Sequence, residues 1–230
     1  MTKYHKIQSI WKRTDRGVCI PHAWSRPELG YLSELEWEFT EKVDGTNIRI
    51  GLELVADGPR STRVRLDYFV AGRTDNAQLH PKLAAAIADL DLESKLHEHF
   101  GNDDETEVVL YGEGYGVKIQ SGGKYRQDQG FVLFDVRVGP WWLDRGDVED
   151  VAEKLGLDVV PIVGHGTLDD AIQMVHAGEQ RSTWGDFVAE GVVCKPAVQL
   201  FNRKGDRIIC KVKWKDFLRL RREGIDFLRE

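Results

Sequence analysis

One lysine stands out because it lies beside a predicted tight turn. Lys42 ends a predicted strand in the run Glu41-Lys42-Val43-Asp44-Gly45-Thr46-Asn47, and the turn is expected at Asp44-Gly45. A lysine amine is a nucleophile only when it is deprotonated, and an ordinary lysine with a pKa near 10.4 is almost wholly protonated at neutral pH. A nucleophilic lysine here therefore needs nearby cations, which would also bind a phosphate.

Two further lysines could supply those cations. Lys211 and Lys213 alternate along a predicted strand, so their side chains lie on the same side of it. Together with a bound metal they would favour a neutral amine at Lys42 and neutralise a nucleotide phosphate. Glu190 is suited to hold such a metal. A solvated sheet face would show the same alternation, so the pattern alone leaves both interpretations open.

Several short motifs lie at the ends of predicted strands between Lys42 and the lysine pair. They are Gly72-Arg73-Thr74, Tyr111-Gly112-Glu113-Gly114, Leu133-Phe134-Asp135 and Glu190-Gly191-Val192-Val193-Cys194-Lys195. In this order the sequence resembles the covalent nucleotidyltransferases, which comprise ATP-dependent DNA ligases, RNA ligases and mRNA capping enzymes. The DNA ligases and capping enzymes usually carry an arginine where this chain has Asn47. The sequence resembles most the RNA ligase 2-like branch, whose members join RNA 3'-hydroxyl and 5'-phosphate ends.

The resemblance implies a reaction and a set of contacts. Lys42 would attack the α-phosphate of ATP, form a lysyl-AMP phosphoramidate and release pyrophosphate, with Mg²⁺ (or Mn²⁺) held by Glu190 and with Lys211 and Lys213 as catalytic cations. The implied ATP contacts are Glu41 through nearby backbone, Asn47, Arg73 at ribose or phosphate, Glu113 at the ribose, Phe134 stacked on adenine, and Lys195 at the phosphate. Outside this motif set, Phe134 would be assigned to the core and Glu113 to the exposed surface.

The basic residues are concentrated near the end of the chain. Residues 201–222 contain nine Lys or Arg and two Asp, although the whole chain has a net charge of -6. This distribution predicts that Arg219, Arg221 and Arg222 hold RNA ends, aided by Arg73 and by Lys118 or Lys124. A solvated helix face is the alternative explanation.

The predicted elements give an α+β fold. The resemblance implies a nucleotidyltransferase (ATP-grasp-like ligase) fold, with antiparallel sheets flanked by helices and the nucleotide site between them. Predicted strands are Trp37–Lys42, Thr46–Val55, Arg63–Val70, Glu107–Tyr111, Phe131–Val138, Gly191–Cys194 and Arg207–Lys213. Predicted helices are Lys82–Phe100, with Pro81 at its first position, Asp147–Leu155, Leu168–Ala177, capped by Thr167, and Lys215–Leu228; Gly112–Gly130 is predicted to be a loop.

Composition limits the class of protein. With 230 residues, 41% hydrophobic and 30% charged, the chain is typical of a folded globular protein and unlike a disordered or coiled-coil one. The sequence has no apolar run long enough to span a membrane, and the spacing of its three cysteines is not that of a metal site. The protein is therefore predicted to be cytoplasmic. We expect one nucleotidyltransferase domain over residues 1–230. Residues 214–230 are too few for the oligonucleotide-binding or helical domain that relatives append, so a partner protein is possible.

The predicted activity is that of an ATP-dependent RNA ligase. Its expected substrates are RNA ends, and the favoured form of the substrate is a nicked duplex. Two alternatives remain open from the residues. The first is a DNA or hybrid nick ligase with the same chemistry. The second is a non-catalytic nucleic-acid-binding module that kept the fold, although such a module need not retain Lys42, Glu190 and the lysine pair together.

Overall fold

The computed structural model describes residues 3–56, 58, 64–75, 77–101, 106–178 and 180–225. Contacts divide the chain into two units: Met1–Tyr4 with Asp44–Val160, and His5–Val43 with Pro161–Glu230. The elements in chain order are β1 (Gln8–Ser9), β2 (Trp11–Arg13), β3 (Cys19–Trp24), α1 (Pro27–Tyr31), β4 (Trp37–Glu41), β5 (Thr46–Ala56), β6 (Val64–Gly72), α2 (Pro81–Ala88), α3 (Leu92–Phe100), β7 (Val108–Gly116), β8 (Gln129–Val138), β9 (Trp141–Trp142), α4 (Arg145–Leu155), β10 (Ile162–Gly166), α5 (Leu168–Ala177), β11 (Gly191–Pro196), β12 (Cys210–Lys213) and α6 (Trp214–Arg222).

The first unit is built on an antiparallel sheet in the order β6-β5-β7-β8-β9. Ile48, Ile50 and Leu52 alternate along β5 and lie in one apolar core with residues of α2, α3 and α4, including Leu83 and Leu96. Each large apolar side chain buried in this way contributes about 1.5–3 kcal/mol to folding. The alternate residues of β5 lie on the other face of the sheet, and they include Asn47.

The second unit contains a sheet in the order β1-β12-β11-β4-β10 and a β2-β3 hairpin. Its strands pair antiparallel except β1, which runs parallel to β12 at the edge. Trp37, Phe39 and Val212 lie in one core with residues of α5 and α6, such as Ile172 and Phe217. Lys211 and Lys213 alternate with the core residues of β12, so the opposite face of this sheet carries the cationic side chains.

The structure confirms the α+β class with antiparallel sheets and helices, and it corrects two predicted elements of the first unit. The helix expected over Lys82–Phe100 is interrupted after Ala88, because Asp91 adopts a left-handed conformation with φ of 50°. The first part of the expected loop Gly112–Gly130 instead continues β7 to Gly116. Gly112 is needed there, since a Cβ atom would lie 2.3 Å from the ring of Phe131.

Two further predictions of helix starts are confirmed, and one prediction of a helix end is wrong. Pro81 begins α2, and Thr167 caps α5 by accepting a hydrogen bond from the Asp170 backbone amide at 3.2 Å. The last helix begins at Trp214 but ends at Arg222, so the predicted continuation is wrong for residues 223–225, where Gly224 adopts a positive φ of 69°. The rest of the predicted continuation to Leu228 lies outside the described residues. None of the helices in the described part of the chain is long and apolar enough to cross a membrane.

Candidate active site

The amine of Lys42 is held by a carboxylate. Lys42 directly follows β4, and its Nζ donates a hydrogen bond to Oε2 of Glu190 at 2.7 Å. The other oxygen of the same carboxylate, Oε1, forms an ion pair with Nζ of Lys213. The three side chains are 20%, 11% and 13% exposed for Lys42, Glu190 and Lys213, so solvent screens these charges only in part. The structure thus brings together three residues that the sequence singled out.

Backbone pairing fixes this cluster. The Lys42 amide donates to the Gly191 carbonyl at 2.9 Å, and the Trp214 amide donates to the Glu190 carbonyl at 2.9 Å. Gly191 has a φ of 144°, and a Cβ atom there would lie 2.0 Å from the Val212 carbonyl oxygen. Glycine at this position therefore allows β11 and β12 to approach closely where they position Glu190 and Lys213.

Lys211 shares the cationic face of this sheet. Burial, followed by the nearby charges of Lys213 and Lys42, lowers the pKa of Lys211 to about 8 against the opposing effect of Glu190. Lys195 lies two residues beyond Val193, the residue that pairs with Lys211 across the strands, and so extends the same face along β11. The sequence prediction that Lys211 and Lys213 share one side is borne out by this geometry.

The lowered pKa of Lys211 predicts that its amine reacts faster than that of an ordinary lysine. At pH 7.5 roughly a quarter of the amine groups with a pKa of about 8 are neutral, against about one in a thousand for an ordinary lysine. We expect a limiting amount of an amine-acylating reagent to modify Lys211 well before exposed Lys82, as measured by peptide mass spectrometry. Equal rates at the two lysines would contradict this electrostatic picture.

Glu41 is buried beside the Lys42 site and holds a neighbouring segment. Its Oε2 accepts hydrogen bonds from the Thr183 backbone amide at 2.8 Å and from the Thr183 hydroxyl at 2.9 Å. Its Oε1 is buried without a hydrogen-bond partner among the described residues. The resemblance assigned nucleotide contacts to the backbone near Glu41. The side chain itself fixes the segment that precedes Glu190 in the chain, a role that no local sequence signal indicated.

In the first unit, Glu113 holds the turn that follows Lys42 in sequence. Its Oε1 accepts a hydrogen bond from the Gly45 amide at 3.2 Å, and the Asp44 amide donates to the Tyr125 hydroxyl at 3.3 Å. Asn47 pairs with Glu113 across β5 and β7. Within the described residues its Oδ1 is buried and lacks a hydrogen-bond partner. A buried acceptor without a partner costs about 1–3 kcal/mol, so Asn47 is suited to accept from a bound ligand.

Phe134 lies in an aromatic cluster formed by Tyr4, Tyr111, Phe134 and Trp142. Its ring meets Tyr4 edge-on, with centroids 5.1 Å apart, and Tyr4 also lies 5.1 Å from Tyr111. The Tyr4 hydroxyl donates to Oδ2 of Asp135 at 2.6 Å. Phe134 is half-buried and packs against Tyr111 on the sheet face opposite the helices, because it alternates with Leu133 of the helix-side core.

Arg73 is exposed in the turn after β6, and a buried arginine supports that turn. Arg49 is 0% exposed, and it donates from Nε to the Gly72 carbonyl at 2.9 Å and from Nη2 to Oδ1 of Asp75 at 2.7 Å. The hydrogen bond from Arg49 holds the pKa of Asp75 below its usual range. Arg49 thus links β5 to the turn that carries Arg73.

The arginines of α6 differ in their surroundings. Arg219 donates to the Arg16 carbonyl at 2.6 Å, and Arg221 donates to the His176 carbonyl at 2.9 Å with its guanidinium 5.0 Å from the Trp214 ring. Arg222 is exposed. Of the loop lysines predicted to aid RNA binding, Lys118 and Lys124 are both exposed in the first unit. All five cationic side chains are exposed, and two of them, Arg219 and Arg221, donate hydrogen bonds to backbone carbonyls.

A metal ion could be held by Glu190 with help from a substrate. The described residues contain no group of three or more His, Cys, Asp or Glu side chains placed to bind a metal. Mg²⁺ is usually bound by one or two carboxylates together with substrate phosphates and water molecules. A single carboxylate among lysines that attract phosphate fits this mode of binding.

The sequence match extends over most of the chain. A family model described as RNA ligase matches residues 35–213. The chain belongs to the RNA ligase family. The matched segment of this RNA ligase family member contains Lys42, Glu190 and both lysines of β12. A search of the curated proteins gave no match.

Solved RNA ligase structures from Naegleria gruberi are similar to this RNA ligase family member. The structure with PPi has 17% identity and a TM-score of 0.62, covering 97% of this chain and 58% of that chain. A mutant with ATP and Mn has 16% identity and a TM-score of 0.61, covering 97% and 58%. A mutant with AMP and Mn has 17% identity and a TM-score of 0.56, covering 84% and 54%. The chain shares their fold and spans less than two thirds of their length.

Proposed function

We propose that this protein is an ATP-dependent RNA ligase. AMP is transferred from ATP to Lys42, then to an RNA 5'-phosphate, and the activated end is joined to a 3'-hydroxyl. The observation that carries the proposal is the cluster of Lys42, Glu190 and Lys213, in which a half-buried amine is held among cations beside a carboxylate. The Naegleria gruberi structures with ATP and Mn and with AMP and Mn support the choice of nucleotide.

The first step follows from the positions of these side chains. The neutral amine of Lys42 attacks the α-phosphorus and forms a nitrogen–phosphorus bond, while the bond to the bridging oxygen breaks and pyrophosphate leaves. Nζ then loses one proton to water, which reaches this partly exposed side chain. Glu190 orients the amine through its hydrogen bond of 2.7 Å. Lys211 and Lys213 neutralise the charge that develops on the phosphate oxygens. Mg²⁺ or Mn²⁺ held by Glu190 supplies Lewis-acid stabilisation of the phosphates when bound.

The remaining ATP contacts are proposed residue by residue. The buried acceptor of Asn47 supports a hydrogen bond to the ligand, and Glu113 contacts the ribose while it holds the turn at Gly45. Phe134 stacks on adenine. The other proposed ATP contacts are the backbone near Glu41, Arg73 at ribose or phosphate, and Lys195 at the phosphate.

The proposed substrate is an RNA end, and the favoured form of this substrate is a nicked duplex. Arg219, Arg221 and Arg222 are proposed to contact it. We also propose that residues 1–230 act as one nucleotidyltransferase domain in the cytoplasm, where three free buried cysteines are compatible with reducing conditions. A partner protein that adds RNA contacts is compatible with this arrangement. A DNA or hybrid nick ligase would use the same adenylylation step, and comparison of RNA, DNA and hybrid nicks distinguishes the two.

Covalent labelling tests the proposed function directly. Incubation with α-labelled ATP and Mg²⁺, followed by denaturing electrophoresis, should leave AMP on the protein. GTP should label far less well, because stacking tolerates any base and selectivity must come from hydrogen bonds to the adenine edge. Equal labelling by GTP would favour a capping-enzyme-like activity. Absence of label with ATP would favour the non-catalytic nucleic-acid-binding module.

A further inference from the structure

A groove lined by lysines lies beside β12 in the second unit. Its volume is about 580 Å³, and its cationic lining consists of Lys6, Lys12, Arg13, Lys211, Lys213 and Lys215. The other lining residues are neutral, so the described part of the groove contains no acidic side chain. This local excess of positive charge contrasts with the net charge of -6 of the whole chain.

Apart from Lys211, which belongs to the candidate active site, three of these cations are available to a ligand. Arg13 is neutralised by Asp216, with Nη2 2.6 Å from Oδ2, and Lys213 is paired with Glu190. Lys6, Lys12 and Lys215 are exposed and have no acidic partner among the described residues. They come from the segment before β1, from β2 and from α6, so the fold collects charges that are distant in sequence.

A second groove extends the same surface. Its volume is about 590 Å³, and Arg13 and Lys215 line it together with Arg219 and Arg222. The second groove is also lined by Asp216, which pairs with Arg13, and by Glu223, so its four cations exceed its two carboxylates. Because the two grooves share Arg13 and Lys215, they form one continuous track from Lys6 and Lys12 to Arg222 with an excess of positive charge, called here the basic track. The candidate catalytic lysines Lys211 and Lys213 lie in its wall.

We propose that the basic track binds the phosphate backbone of an RNA strand, with Lys6, Lys12 and Lys215 as phosphate contacts. This deepens the proposed ligase function and rests on it. The triphosphate of ATP is compact, and a bound Mg²⁺ would offset part of its charge beside Lys211, so ATP does not require a track of this length. A longer polyanion such as an RNA strand would contact the additional exposed lysines along the track. Lysine ammonium groups bind phosphates as point charges, so they would hold the RNA backbone without recognising its sequence.

The test compares two double variants with the same change of charge. Lys6→Gln/Lys12→Gln removes two cations of the track, whereas Arg203→Gln/Lys204→Gln removes two exposed cations of the same unit that line neither groove. Binding of a fluorescent 5'-phosphorylated RNA oligonucleotide is measured by anisotropy across a salt series. We expect the track variant to bind about tenfold more weakly near physiological salt and to lose about 1.4 from the log–log salt slope, as two single-strand phosphate contacts imply. The control variant should stay close to wild type.

Adenylylation with ATP separates the competing outcomes. The track variant should keep the wild-type KM for ATP and the wild-type labelling rate. RNA binding that is unchanged, or that weakens equally in the control variant, would overturn the proposal. A raised KM for ATP with unchanged RNA binding would assign the groove to the triphosphate and would also overturn it. If the wild-type protein takes no label at all, the ligase function fails, while the anisotropy series still decides whether the track binds RNA.

Discussion

Lys42→Ala should abolish covalent labelling with AMP and leave the protein folded. The alanine lacks the nucleophile, and the other amine that Glu190 holds, that of Lys213, lies at the end of β12 and not of β4. Glu190 keeps its ion pair with Lys213 in this variant, so no buried carboxylate is left alone. Because the largely buried carboxylate keeps a charged partner, the large cost of an uncompensated buried charge is avoided and the thermal midpoint should change little. Intact-protein mass spectrometry after incubation with ATP and Mg²⁺ measures the gain of AMP.

Lys42→Arg separates charge from nucleophilicity. The guanidinium keeps the positive charge beside Glu190 but stays protonated and is a poor nucleophile, so this variant should also remain unlabelled. Lys82→Ala, which removes an exposed lysine of α2, is the control and should label like wild type. A Lys42→Ala protein that still gains the mass of AMP at its usual site would rule out Lys42 as the acceptor.

The sequence identified the parts of this site that depend on strand geometry. Lys211 and Lys213 share a face because side chains alternate along any strand, and the pairing of β11 with β12 then places Glu190 beside Lys213. Such periodicity is local, so it can be recognised without knowledge of the fold. The order of the motifs gave the resemblance that predicted the family. The match over residues 35–213 confirms that family.

The features that sequence analysis missed depend on contacts between distant segments. Thr183 binds the carboxylate of Glu41 across 142 positions of sequence, and Tyr4 reaches Asp135 across 131. Neither residue carries a local pattern that would predict its partner. The extent of β7 was missed for a different reason: its glycines indicated a loop, whereas close packing of Phe131 requires the small residue at Gly112.

Glu190→Gln should slow adenylylation by at least about 100-fold, the size of effect seen when one charge-stabilising group is removed from an active site. Glutamine has the same shape but no charge, so both ion pairs to Lys42 and Lys213 are lost together with the proposed metal ligand. The loss should also lower the pKa of Lys211 further, because Glu190 opposes the effects of burial and of the neighbouring lysines. Single-turnover labelling at increasing Mg²⁺ or Mn²⁺ concentrations measures the effect, and Glu36→Gln, at an exposed position of the same unit, is the control.

A second variant separates catalysis from charge balance at this cluster. Glu190→Gln alone leaves Lys42, Lys211 and Lys213 without a shared carboxylate, so repulsion among them should reduce stability at low salt and less so at high salt. Glu190→Gln/Lys213→Gln removes one of the repelling charges and should recover thermal stability. It should not recover labelling, because the carboxylate proposed to orient Lys42 and to hold the metal is still missing. Recovery of both would show that Glu190 only balances charge, and the metal role would then have to be reassigned.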